Sequence, residues 1–243
     1  MTSKSKALTT PAASSFALQL TSTDDSDYLA PGEKLSINDL PRIKVPAGGG
    51  LIWTLPNGEP AKKLHAAIVA FHVNRAFWND EFSGENNPPD CSSHDGVNGV
   101  GLWGKDTAED GTITFAGGNP SGTCASCPMA VFGSGKGNAQ ACRQITSLLL
   151  VLEGEPTPVR LNVPAGSYQA FYRYRTQVLR PFGIPHYTVA TDISLVAAKS
   201  STKIDYAQMH FEMAEALDVG FVAQLMDFRK VFAAQAASAP VEV

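Results

Sequence analysis

The sequence lacks any long apolar run. No stretch of its 243 residues approaches the roughly 20 apolar residues that a membrane-spanning helix needs. The first residues, MTSKSKALTTPAASS, contain no apolar segment of the kind found in a secretory signal peptide. We therefore expect a cytoplasmic protein with no membrane partner.

The sequence also lacks an excess of positive charge. Its formal net charge is -4, and 17% of its residues are charged while 44% are apolar. This balance is typical of a globular protein and argues against wholesale attraction to nucleic acid or membranes. It does not exclude a local basic groove, because binding depends on where the charges lie.

Recognisable catalytic motifs are absent as well. There is no Gly-x-Ser-x-Gly sequence, and the five histidines are scattered along the chain. The glycine-rich residues 133–140, GSGKGNAQ, lack the Gly-Lys-Ser/Thr ending of a phosphate-binding loop. With neither a nucleophile beside a base nor a carboxylate pair, the sequence predicts a protein that is not an enzyme.

The only four cysteines all lie in the irregular, glycine-rich stretch 88–143. Cys124-Ala-Ser-Cys127 has the Cys-x2-Cys spacing with which two thiolates grip one face of a tetrahedral metal, and Cys91 and Cys142 offer two more. We predict one structural zinc ion per chain, because four thiolates leave no open coordination position for a substrate. The metal would stabilise a segment too irregular to bury its own core.

Other states of the cysteines remain open. Two disulfides are an alternative, although a reducing cytoplasm disfavours them. A redox pair is another, but such a pair normally opens a helix, whereas Pro128 follows Cys127 here. His94 is an alternative ligand to Cys91.

The segment from Val159 to His186 contains no Asp or Glu, but it has four arginines and five aromatic residues. Arginine pairs with phosphate oxygens, and aromatic rings stack on unpaired bases of any identity. The predicted nucleic-acid contacts are Tyr172, Arg173, Arg175 and Arg180 in this segment, Lys136 and Arg143 near the cysteines, and Trp53 and Trp78 on early strands. Alternatively, Phe171 and Tyr174, with Val178 or Leu179, form the buried face of a helix.

Hydrophobic patterns predict an α+β fold that is mostly β. Strands are expected at 42–45, 51–55, 64–78, 145–154, 159–164, 186–200 and 202–216, with turns at 57–58 and 200–201. Ser167 is a candidate N-cap for a helix to about residue 183, and Asp218 for a C-terminal helix.

The predicted organisation is one domain between two less ordered ends. Residues 1–35 form a flexible N-terminal arm, residues 36–236 a single domain, and residues 237–243 a frayed C-terminus. We expect an OB-like small barrel carrying an irregular zinc-clipped insertion at about 88–143 and a C-terminal helix.

The cysteine pattern PPDCSSHDG…CASCPMAVFGSG…ACR resembles that of single-stranded DNA-binding-like proteins of tailed bacteriophages and prophages. The resemblance covers roughly residues 40–150 and implies an OB fold with a zinc-binding insertion near a DNA cleft. The best-known phage examples use one histidine and three thiolates, and they end in an acidic tail that recruits replication proteins. Here four cysteines are present, and the chain ends in SAPVEV.

Together, these features predict sequence-tolerant binding of single-stranded DNA in phage replication or recombination, in a host cytoplasm. Replication or recombination proteins would be further partners. The alternative is a structural or protein-interaction protein, such as a virion or assembly component, with a structural zinc site. A zinc-dependent nuclease is less favoured, because the predicted metal site has no open position.

Overall fold

The computed structural model describes residues 16–17, 39–79, 89–93, 95–101, 105–107, 113–115, 122–155, 157–199 and 205–236. These residues form a mixed α+β fold, mostly strands, with a curled half-barrel sheet and two α-helices. The predicted class, α+β and mostly β, is confirmed.

Twelve strands lie in the described part of the chain. They are β1 (Arg42–Ile43), β2 (Trp53–Thr54), β3 (Pro60–Ala61), β4 (Lys63–Phe77), β5 (Cys91–Ser93), β6 (Val100–Gly101), β7 (Lys105–Thr107), β8 (Ile113–Phe115), β9 (Arg143–Leu152), β10 (Val159–Val163), β11 (Val189–Lys199) and β12 (Asp205–Ala216). The main sheet has the order β1-β10-β9-β4-β11-β12, with β5 paired to β4 and β6 paired to β5.

The centre of this sheet is its most buried part. Residues 66–69 of β4 and 148–152 of β9 are all buried, on both faces of their strands. Unbroken apolar runs of this kind are typical of strands covered on both sides. The long strands predicted at 64–78 and 145–154 are confirmed.

Strand β11 lies between two antiparallel neighbours. Ile193 is paired with Leu64 of β4 on one side and with Phe211 of β12 on the other. All three side chains belong to one hydrophobic core. The predicted strands at 186–200 and 202–216 are confirmed, and the predicted turn at 200–201 lies outside the described residues.

Helix α1 (Ala165–Arg173) begins earlier than predicted. Pro164 occupies its N-cap position, so the prediction of Ser167 as N-cap is wrong. The buried Ser167 hydroxyl instead accepts a hydrogen bond from the Met209 N–H of β12 at 2.9 Å. Because β12 ends the strand order of the sheet, this contact satisfies a backbone donor that would otherwise be unpaired there.

Helix α2 (Val219–Ala236) begins as predicted. The Asp218 carboxylate accepts hydrogen bonds from the N–H groups of Gly220 and Phe221 at 2.8 and 3.2 Å, which confirms it as the cap. The Phe221 and Leu225 side chains are buried. No helix in the described ranges is long and apolar enough to cross a membrane.

The contacts within the chain define two compact units. The first comprises residues 1–71 and 147–234, and the second comprises residues 72–146 and 235–243. The predicted insertion at 88–143 falls within the second unit. Of the predicted arm at 1–35 only Phe16 and Ala17 are described, and the predicted frayed end at 237–243 lies outside the described residues.

Candidate functional site

The acid-free segment continues beyond α1 as a turn of π-helix, Tyr174–Leu179. Its wider turn brings Leu179 to the buried face that Phe171 and Tyr174 begin, while Val178 is 39% exposed. The Tyr174 hydroxyl is hydrogen-bonded to the Thr191 hydroxyl at 2.7 Å inside the core. Phe171 and Tyr174 are therefore core residues, as the buried-face alternative predicted.

The side chains of this segment that point away from the core include aromatic and basic residues. Tyr172 is 44% exposed and Phe182 is 75% exposed, and Arg173 and Arg180 are exposed beside them. A 3-10 turn, Arg180–Phe182, closes the segment, and Gly183 follows it with a φ of 64° that glycine adopts without steric cost. Two exposed aromatic rings and two exposed guanidinium groups thus lie within eleven residues of the chain.

Arg175 lies between the exposed face and the core. Its guanidinium stacks over the Phe71 and Phe171 rings, at 4.2 and 4.7 Å from their centroids. Burial lowers the pKa of Arg175, although an arginine remains charged at neutral pH. No carboxylate pairs with it within the described ranges, so its charge is available to an anion.

A cavity of about 470 Å³ opens beside Arg175 in the first unit. Arg180 and Arg229 also line it, together with Phe71 and His186, and none of its lining residues is acidic. Sequence reasoning missed this cavity, because Arg229 lies on α2 and Phe71 on β4, each far from the acid-free segment along the chain. No sequence signal could have joined them.

The remaining predicted contacts divide into two groups. Trp53 is fully buried, and its indole N–H donates to the Ile193 carbonyl at 3.0 Å, so this ring cannot stack on a base and the prediction is corrected. Trp78 is partly buried, and Lys136 and Arg143 are exposed. These last three residues belong to the second unit, whereas Tyr172, Arg173, Arg175 and Arg180 belong to the first.

Two of the four cysteines meet at Gly99 in the second unit. A Cβ atom built on Gly99 would lie 3.1 Å from the Cys91 Sγ and 3.8 Å from the Cys124 Sγ. The Cys124 N–H donates to the Val97 carbonyl at 2.7 Å, which holds the Cys-x2-Cys turn against the chain that follows Cys91. A side chain at position 99 would therefore crowd the Cys91 sulfur and contact the Cys124 sulfur.

The other two cysteines are joined to this turn by backbone hydrogen bonds. The Cys127 N–H donates to the Cys124 carbonyl at 3.2 Å, and the Cys142 N–H donates to the Met129 carbonyl at 2.8 Å. Burial raises the pKa of Cys142 to about 11, with Arg75 opposing and the other three thiols adding to the shift. The four sulfurs are thus electrostatic neighbours.

The four thiols are the only cysteine donors in the sequence. All four are free, and no group of three or more His, Cys, Asp or Glu side chains is arranged to hold a metal ion in the part of the chain described. A tetrahedral zinc site requires sulfur–sulfur distances of roughly 3.8 Å, from Zn–S bonds of about 2.3 Å. Four thiolates are a donor set that suits zinc. His94 lies outside the described residues.

His65 belongs to a charged cluster that sequence reasoning did not find. Its Nδ1 lies 2.6 Å from an Asp192 oxygen and its Nε2 lies 2.9 Å from a Glu215 oxygen, while Lys63 also pairs with Asp192 at 2.6 Å. Burial opposes protonation, but the two carboxylates outweigh it and raise the pKa of His65. With both ring nitrogens engaged, the imidazole is better suited to an ion-pair network than to proton transfer.

Comparisons with known proteins identify no relative. No protein-family model, no curated protein and no solved structure matches the chain.

Proposed function

We propose that this protein binds single-stranded DNA without sequence preference and is not an enzyme. The observation that carries the proposal is the exposed, acid-free face of residues 165–183, where Tyr172 and Phe182 lie beside Arg173 and Arg180. Exposed rings give sequence-tolerant stacking, and guanidinium groups neutralise phosphates. A chain of net charge -4 that concentrates uncompensated arginines here is suited to a local anionic partner.

The fold is proposed to be an OB-like barrel. Support comes from the curled sheet of mostly antiparallel strands and from the irregular second unit inserted between β4 and β9. OB-like barrels commonly bind single strands on one face of the sheet and its loops. A place in phage replication or recombination, in a host cytoplasm, follows from the resemblance of the cysteine pattern.

One zinc ion per chain is proposed as a structural element of the second unit, held by Cys91, Cys124, Cys127 and Cys142. The shared approach of two sulfurs to Gly99 and the hydrogen bond from Cys142 to Met129 support this donor set. When bound, the ion would fix the geometry of residues 91–142, whose described strands and turns bury few apolar side chains. Lys136 and Arg143 would then add basic charge close to the metal-held turn.

Two single substitutions on the exposed face test the DNA proposal. Replacing Arg173 with Ala should reduce the slope of log affinity against log salt by about 0.7, since one phosphate contact to a single strand is lost. Replacing Tyr172 with Ala should weaken binding by about 1 to 3 kcal/mol and leave that slope nearly unchanged, since stacking releases no counterions.

The matched control is Lys199→Ala, which removes an exposed cation that is paired with Asp205 on the same unit. It should bind like wild type. The proposal fails if Arg173→Ala and Tyr172→Ala stay folded and also bind labelled oligonucleotide like wild type.

One observation favours the alternative of a structural or protein-interaction role. Val131 and Phe132, between Cys127 and Cys142, are 58% and 71% exposed. Neighbouring exposed apolar side chains are more typical of a protein contact than of a solvated loop. Light scattering of wild type and Phe132→Ser would test it: assembly that depends on Phe132, together with no oligonucleotide binding, would favour this function.

A further inference from the structure

The cavity beside Arg175 combines three cations with no negative charge of its own. Arg175, Arg180 and Arg229 line it, and none of the three has a carboxylate partner among the residues described. The Arg229 guanidinium is held over the Tyr187 ring, 4.2 Å from its centroid. Converging guanidinium groups repel one another, so an anion that bridges them relieves an unfavourable arrangement.

The fixed position of Arg175 indicates where such an anion would lie. Its guanidinium carbon lies over both the Phe71 and Phe171 rings, and its Nε is buried without a hydrogen-bond partner in the described structure. A buried donor that lacks an acceptor costs free energy, which a small shift of the side chain toward a ligand oxygen would relieve. The ring contacts also hold the side chain in one orientation, which reduces the entropy lost on binding.

His186 adds a different polar group to the same cavity. It makes a backbone hydrogen bond to Val69, and its Nε2 is buried without a partner in the part of the chain described. Its ring packs edge-on against Phe71, with centroids 5.3 Å apart. Burial, assisted by Arg229 and Arg175, lowers the pKa of His186 to about 4, so at neutral pH the imidazole is uncharged. The anion would therefore be bound by the arginines and not by the imidazole.

We propose that this cavity binds a nucleoside monophosphate group, with its terminal phosphate held by Arg175, Arg180 and Arg229. A phosphomonoester offers three terminal oxygens and about two negative charges, which suits three guanidinium groups better than an internal phosphodiester with one charge. The volume of about 470 Å³ falls in the range of small-ligand sites. The group has two sources, a free nucleotide or the phosphorylated end of a DNA strand. If the source is the phosphorylated end of a DNA strand, this proposal rests on the proposed function.

The test compares ligands that differ only in the terminal phosphate, in a buffer free of phosphate. The full chain is titrated calorimetrically with deoxyadenosine monophosphate and with deoxyadenosine. A labelled oligonucleotide is then competed with three unlabelled strands of one sequence, carrying a 5′-phosphate, a 3′-phosphate or hydroxyls at both ends. We expect the monophosphate to bind and the nucleoside not to, and one phosphorylated strand to compete about tenfold better than the unphosphorylated strand.

Substitutions in the cavity test whether its arginines cause the preference for phosphorylated ligands. Arg229→Gln and, separately, the exposed Arg180→Gln should each remove most of the preference for phosphate. Lys230→Gln is the control, since the neighbouring lysine on α2 is exposed and pairs with Asp227 at 2.8 Å. It should keep the full preference. A melting curve for each variant separates lost binding from lost folding, and the exposed position of Arg180 makes its variant the safer of the two.

The outcomes distinguish this proposal from general DNA binding. If all three strands compete equally and the monophosphate does not bind, the cavity proposal is wrong while the proposed function stands. If the monophosphate binds but no oligonucleotide does, the cavity is a free-nucleotide site and the DNA proposal is wrong. A preference for phosphate that survives both arginine substitutions would also overturn the cavity proposal.

Discussion

His186 shows how one partly buried residue links the cavity to stability. Burial first, then Arg229 and Arg175, lower its pKa from 6.5 to about 4, while a hydrogen bond to Val69 opposes them. In the unfolded chain the imidazole returns to its ordinary pKa of about 6.5. Between these two values the unfolded state binds a proton that the folded state does not, so stability falls as the pH is lowered.

We predict that the free energy of unfolding decreases by up to about 3 kcal/mol between pH 7 and pH 4 because of His186. Most of this decrease should disappear in His186→Gln. Replacing the exposed His210 with Gln should leave the decrease intact. Urea denaturation at several pH values measures it, and an unchanged pH dependence in His186→Gln would show that His186 is protonated equally in both states.

At the scale of secondary structure elements, α1 is attached to β12 by Ser167. Its hydroxyl and the Met209 N–H are both buried, so the substitution Ser167→Ala leaves a donor without an acceptor. We predict a loss of about 1 to 3 kcal/mol in the free energy of unfolding. Thr157→Ala, which removes a hydroxyl at an exposed position before β10, should change it little. Chemical denaturation compares the two, and equal stability of both variants would contradict the assigned role of Ser167.

The Cys-x2-Cys turn at Cys124–Cys127, which we propose to be held by zinc, is the second element that can be tested. Protein purified without added metal should contain about one equivalent of zinc per chain. Cys127→Ser should lose the metal and become more sensitive to protease within residues 122–142, because metal binding and local folding are coupled. Ala125→Ser changes an exposed position in the same turn without removing a ligand, and it should retain zinc. Metal-free wild type with two disulfides detected by mass would contradict the site.

For the molecule as a whole, local pattern predicted most strands and the cap of α2. The unbroken apolar run at residues 145–154 predicts a buried strand, because such a run is stable only where it is removed from water. Asp218 is predicted to be a helix cap because it directly precedes apolar residues at helical spacing. Ser167 was assigned incorrectly because its partner, Met209, comes from a distant strand. A serine hydroxyl can accept a hydrogen bond, but the sequence does not show which N–H group donates it.

The candidate site was predictable only in part, for the same reason. The absence of acids between Val159 and His186 is visible in the sequence, and Tyr172 is exposed as expected. The sequence could not show that Trp53 is enclosed, since a tryptophan on a two-residue strand has no periodicity around it. Nor could the sequence show that Arg229 and Arg175 line the same cavity, because that depends on how α2 packs.

The central claim is that the whole protein binds single strands through phosphate contacts and base stacking. Fluorescence anisotropy of wild type with a labelled single strand, at about 50 and about 200 mM salt, tests it most directly. Four phosphate contacts predict an affinity about 50-fold weaker at the higher salt, and a duplex of the same sequence should compete poorly because its bases are paired. No binding at the lower salt concentration, or binding insensitive to salt with equal competition by the duplex, would contradict the claim.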